Sequence, residues 1–130
     1  SEDGPLGPAN RWYKLGFEDL QTIIVEDVEL QVFSAPCYLA TKFEAFNDRG
    51  GDYRTSHDFE DIIYVLDNRT TIVEEIEKAH PAIKEFLQHE IVSILQSPYA
   101  EEIVSVHLHP LVQDVRTPML MAKLKTIAIY

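Results

Sequence analysis

The stretch "KFEAFNDRGGDYRTSHDFEDI", residues 42–62, constrains this chain most. It reads as two helices joined through a Gly-Gly turn, because paired glycines end one helix and Ser56 caps the next. Leu39, Lys42, Phe46 and Arg49 recur at steps of three and four and so form one stripe of the first helix. Asp58, Asp61, Ile62 and Val65 form one stripe of the second. Leu39, Phe46, Ile62 and Val65 belong inside. Lys42, Asp58 and Asp61 are therefore drawn toward the packing side. Buried charge is costly unless it is paired, so these charges are expected to meet.

Three readings fit that spacing. The cluster is a structural clamp on an αα-hairpin; or Lys42 snorkels along its helix to water; or the group is a half-buried polar site. In the third reading Lys42 neutralises phosphate, and Asp58 or Asp61 orients Lys42, a metal or an attacking group.

The rest of the chain supplies the frame. Residues 1–16, rich in Gly and Pro, read as an irregular lead-in anchored by Trp12 and Tyr13. A β-hairpin is predicted over 20–33, with Glu26-Asp27 at its turn. Val28, Leu30 and Val32 would form its buried face. Residues 35–130 are helical. Ser34 and Pro36 open a helix over 35–48, and a second runs over 57–67. "TIVEEIEKAH" gives a third, with Thr71 and Glu74 in a capping-box pattern. A fourth starts at Pro81, with Ile83, Phe86, Leu87, Ile91, Ile94 and Leu95 on one face. A fifth covers about 98–108. A sixth opens at Thr117-Pro118, with Leu120, Leu124 and Ile127 inward. The sum is an α+β domain spanning 1–130, one hairpin with about six helices. A lone hairpin is marginal, so it either packs on these helices or extends a larger sheet. The missing initial Met and the loop-like start fit a fragment of a longer protein.

Composition narrows the function. Eleven basic against 22 acidic residues give a net charge of −11, which disfavours free nucleic acid as a default partner. The single cysteine, Cys37, rules out an internal disulfide and fits a reducing cytoplasm. No apolar run approaches the roughly 18 residues of a membrane span, and no secretion signal is present. His107-x-His109 has a spacing that suits two metal ligands, but it sits at a helix end with no third ligand evident, so helix-end pairing is the simpler reading. His80 marks a helix boundary. Cys37 reads as core, and "RGGD" as a helix C-cap rather than an anion nest.

"APCYLATKFEAFNDRGGDYRTSHDFEDIIYVLDNR" resembles a segment of the AbiEii-type nucleotidyltransferase-like proteins, the toxin components of abortive-infection and toxin–antitoxin pairs in bacteria. The shared pattern is Leu39-Ala40-Thr41-Lys42, Ala45, Arg49, then His57-Asp58-Phe59-Glu60-Asp61. His57 stands where the stricter pattern has Arg. "LGPANRWY" and "RTPMLMAKLKTIA" extend the likeness. It implies a helical C-terminal portion of a nucleotidyltransferase fold. It also implies Lys42, Asp58 and Asp61 as catalytic residues, with Arg49 and His57 supporting the nucleotide. The implied reaction is Mg²⁺-dependent nucleotidyl transfer from an NTP onto RNA or protein. The family's Gly-Ser turn and Asp-x-Asp strand, which hold the metal, are not in these 130 residues. Asp27-Val28-Glu29, at a hairpin turn, reads as solvated. No metal site is expected in this chain, and alone it should transfer nothing. The alternative is a non-enzymatic interaction module that binds a protein partner such as an antitoxin.

Overall fold

The computed structural model describes residues 10–129. The fold is α+β, a two-stranded antiparallel hairpin set among helices. In chain order the elements are α1 (Asn10–Glu18), β1 (Gln21–Val25), β2 (Val28–Val32), α2 (Ala35–Asp48), α3 (His57–Asn68), α4 (Ile72–Glu77), α5 (Pro81–Gln96), α6 (Ala100–Ser105) and α7 (Gln113–Ala128).

The lead-in is the first correction. The expected irregular stretch to residue 16 gives way to helix α1 from Asn10, and residues 1–9 lie outside the described part. The cause is a short apolar stripe at helical spacing: Trp12 is buried, Gly16 is buried and Leu15 is half-buried. Gly16 is there for close approach. A Cβ at that position would lie 2.8 Å from the Phe33 ring and 2.9 Å from Cys37 Sγ. Phe33, just after β2, thus seats on α1 and meets the rings of Tyr13 and Phe17. This joint fixes the root of the hairpin.

α2 is the central helix and packs against α1, α3, α4 and α5. Ser34 caps it through the Cys37 amide. It ends in a Schellman motif: Gly51 N donates to Phe46 O at 3.0 Å and Gly50 N to Asn47 O at 3.3 Å. Gly50 (φ 101°) and Gly51 (φ 69°) take the left-handed backbone this requires. Ser56 then caps α3 through the Phe59 amide at 3.0 Å. The core joins Leu39 and Phe43 of α2, Ile62 and Leu66 of α3, Leu87 and Ile91 of α5, and Leu120 and Leu124 of α7.

Three local expectations fail for physical reasons. Thr71 precedes α4 without capping it; its hydroxyl donates instead to Glu75, which Arg69 also holds. α6 is only six residues long. α7 begins four residues before Thr117, so Pro118 lies inside it and forfeits a bond to the Asp114 carbonyl.

The hairpin departs most. Strands and turn are where the alternation puts them, with Val25 opposite Val28 and Ile23 opposite Leu30. Glu26 (φ 50°) and Asp27 (φ 66°) both take positive φ, the mirror-image turn that matches strand twist. Yet the expected buried face is exposed: Val28 is 56% and Leu30 41% accessible. The hairpin is anchored at its root and projects past the helices. No helix among the described residues is long and apolar enough to cross a membrane.

Candidate functional site

The charges of α2 and α3 do meet. Lys42 leaves the packing side of α2 and its Nζ donates to Asp61 Oδ2 at 2.9 Å. The same ammonium stands 3.6 Å from Asp58 Oδ1. Arg49, at the end of α2, reaches back so that Nη1 donates to Asp58 Oδ2 at 2.6 Å. Asp58 therefore bridges two cations from one helix. It is the buried acid of the group, at 8% exposure. Its place in the first turn of α3 adds the favourable field of the helix N-terminus. Asp61, one turn on, has an outer side chain 45% exposed.

Lys42 is half-buried and lies over the Tyr38 ring at 5.5 Å, a cation–π contact. Burial works against its charge. The Asp61 hydrogen bond, with Tyr38, Asp61 and Asp58 nearby, outweighs burial and raises its pKa above the ordinary lysine value. Lys42 is thus a fixed cation at any physiological pH and cannot serve as a neutral base. Tyr38 is the partner that spacing could have exposed, since it lies four residues before Lys42 on the same stripe.

Of the five residues singled out from sequence, four converge: Lys42, Arg49, Asp58 and Asp61. Arg49 does so from the outside, with a side chain 74% exposed. His57 does not join. Its side chain points to solvent and lies 3.4 Å from Glu60 on its own helix. First position of a helix simply faces it away from α2.

Other candidates resolve into structure. His107 Nε2 donates to the Tyr53 carbonyl at 2.6 Å, and His109 Nδ1 accepts from the Leu111 amide. Both imidazoles thereby fasten backbone, but neither makes the expected helix-end pairing: Tyr53 lies in the α2–α3 connection and Leu111 in the loop before α7. His80 accepts from the Ala82 amide and caps α5. Cys37 is buried with its thiol on the Trp12 carbonyl; burial, then Asp19, pushes its pKa up to about 11. A thiol so placed is not a nucleophile. Among the described residues no group of three or more His, Cys, Asp or Glu could hold a metal.

The far end of α3 is tied by a second ionic group. Arg116 Nε contacts both carboxylate oxygens of Asp67 at 2.9 Å. Lys123 Nζ donates to the Leu66 carbonyl at 2.7 Å, taking up a carbonyl the helix end leaves free. Burial lowers the Lys123 pKa.

Beside Lys42 the α2–α3 surface runs toward the hairpin. A cavity of about 480 Å³ opens there, lined by Ile23 and Val32 of the hairpin, Tyr38 of α2, and Tyr64 and Val65 of α3. So the ion group, the Tyr38 ring and the apolar root of the hairpin follow one another along the same side.

Comparisons with protein-family models, with curated proteins and with solved structures return no match. The likeness to the AbiEii-type proteins accordingly rests on the residues that carry it in this sequence.

Proposed function

We propose that this chain supplies the helical, phosphate-facing part of an AbiEii-like nucleotidyltransferase site. The observation that supports this is the convergence of the motif residues. Lys42, Asp58 and Asp61 meet at one half-accessible point, with Arg49 on the buried acid. At rest the group carries two positive and two negative charges, so it is formally neutral. An NTP phosphate gains Lys42 by replacing Asp61, the more exposed acid. Asp58 keeps the ammonium aimed while that happens, and Arg49 is the second cation within reach. His57 is left out of this reading by its position.

Mg²⁺ belongs to the implied reaction, but the residues here do not fit it. Each carboxylate of the group is engaged by a cation. The metal ligands of the proposed enzyme are a Gly-Ser…Asp-x-Asp segment outside these 130 residues. The acceptor is an RNA or protein group, with the net charge of −11 weighing against RNA.

Label transfer tests this. Protein from its native source is incubated with Mg²⁺, α-labelled NTP and an RNA or protein acceptor, beside its Lys42→Ala form. Transfer that falls about a hundredfold in the variant is expected. A native chain with the mass of these 130 residues and no transfer would overturn the proposal.

A second reading has its own support. The apolar hairpin face, exposed to solvent, suits a non-enzymatic module that binds a protein partner such as an antitoxin.

A further inference from the structure

The register of the hairpin sorts its side chains into two unlike faces. Ile23, Val25, Val28, Leu30 and Val32 share one face with Gln21 at its root, since cross-strand partners point the same way. Thr22, Ile24, Glu29 and Gln31 share the other, where Gln31 donates to Thr22 at 2.8 Å. Five of the first face's six residues are aliphatic, and four of those five are more than 40% exposed. Its inner end runs into the 480 Å³ cavity against Tyr38 and Tyr64. The result is an aliphatic wall meeting an aromatic floor, with Asn68 and Arg69 at the cavity edge and Arg69 held by Glu75 at 2.6 Å.

Dimensions set the shape of the occupant. Two strands about 4.8 Å apart, with their side chains, give a face about 10 Å wide. Five residues per strand make it about 17 Å long. That is the width of one α-helix and the length of about eleven helical residues. The rim sets the charge. Glu18, Asp19, Glu26 and Asp27 are all exposed, and no Lys or Arg occurs between residues 17 and 41. A second copy of this chain would bring the same acidic rim and a further −11 charges against it.

We infer that the apolar face of the β1–β2 hairpin, with the cavity at its root, docks an amphipathic helix of a partner protein whose flanks are basic. Leucine-like anchors at helical spacing cover the aliphatic wall, and one large apolar side chain enters between Tyr38 and Tyr64. Lysines or arginines beside the stripe meet the acidic rim. This deepens the partner-binding reading and does not depend on the phosphate reading.

The test uses two labelled helical peptides with the same leucine stripe, one flanked by Lys and Arg, the other by Glu. Binding to the whole chain is read by fluorescence anisotropy. The basic peptide should bind at least about tenfold more tightly than its acidic twin, and several-fold more weakly as salt rises. The Ile23→Ser/Leu30→Ser double variant, shown folded by its thermal melt, should lose at least about tenfold in affinity. Label transfer by the native protein should be unchanged in that double variant, which separates this inference from the phosphate reading. Equal affinity for the two peptides, no binding, or indifference to the double variant overturns it. So does sedimentation that shows the wild type pairing through this face.

Discussion

The α2–α3 junction and the hairpin invert the same rule in opposite senses. At the junction, charged groups go where apolar ones belong. In the hairpin, aliphatic groups go where charged ones belong. The junction is complete within itself. Asp58 is nearly buried, yet each of its oxygens faces a cation, and the N-terminus of α3 adds to their effect. Among the described residues no buried side-chain polar atom lacks a hydrogen-bond partner. The hairpin has no such internal answer. Among the described residues its five aliphatics cover no core, and its fastening is Phe33 on Gly16. A misplaced charge is resolved by a neighbour in the same chain. A misplaced apolar face, if it is kept, points to something outside the described residues.

The largest effect should come from the junction. Asp58→Ala removes the one acid shared by Lys42 and Arg49 and leaves Lys42 half-buried beside Asp61 alone. Breaking a buried pair from one side costs about 3 kcal/mol, and urea unfolding will read it. Asp61→Ala, at the exposed edge, should cost less than about 1 kcal/mol. Equal losses in the two variants would break the contrast between a buried bridge and a solvent-facing partner. A small loss at Asp58 would mean that the group is not a clamp, and its retention would then need the phosphate reading more.

A smaller effect is expected at the joint between the two regions. Gly16→Ala gains about 1 kcal/mol of helix propensity in α1. The new methyl also collides with the Phe33 ring and the Cys37 thiol, and overpacking of that kind costs about 1–3 kcal/mol. The net loss should be near 1 kcal/mol. Its location matters more than its size. Because Phe33 is the fastening, hydrogen exchange should quicken in β1 and β2 while the α2–α5 core keeps its protection. Loosening that spreads evenly would show that the hairpin and the helices are one cooperative unit.

Much of this contrast was legible in the residues. The stripes of α2 and α3 give the meeting of Lys42 with Asp58 and Asp61, because helical spacing fixes which side chains share a face. Gly50 and Gly51 give the turn, since only a left-handed backbone closes a Schellman motif there. Alternation and the acidic dipeptide give the hairpin and its turn. What alternation cannot give is whether an apolar face is covered. It reports that Val28, Leu30 and Val32 lie on one side, and coverage depends on where distant helices pass. α1 is hidden for a different reason: Gly and Pro dominate the first residues, and Gly16 shows its use only as the seat for Phe33. His57 falls outside the ion group because adjacency to Asp58 in sequence means about 100° of separation around a helix.

The smallest effect is the most telling about the hairpin. Leu30→Ser removes an aliphatic side chain that would cost several kcal/mol if it were in the core. Here Leu30 already faces water, so stability should change by less than about 0.5 kcal/mol. Solubility should rise, because the exposed apolar face is interrupted at its centre. Light scattering at high concentration, run beside a urea melt, separates the two readouts. A loss above about 2 kcal/mol would place Leu30 in a buried contact. The hairpin would then be part of the core, and the apolar wall proposed for partner binding would not exist. A variant as stable as the wild type but less prone to associate leaves the face intact as a surface. Its aliphatics then do nothing for the fold, which is what a face held for another protein requires.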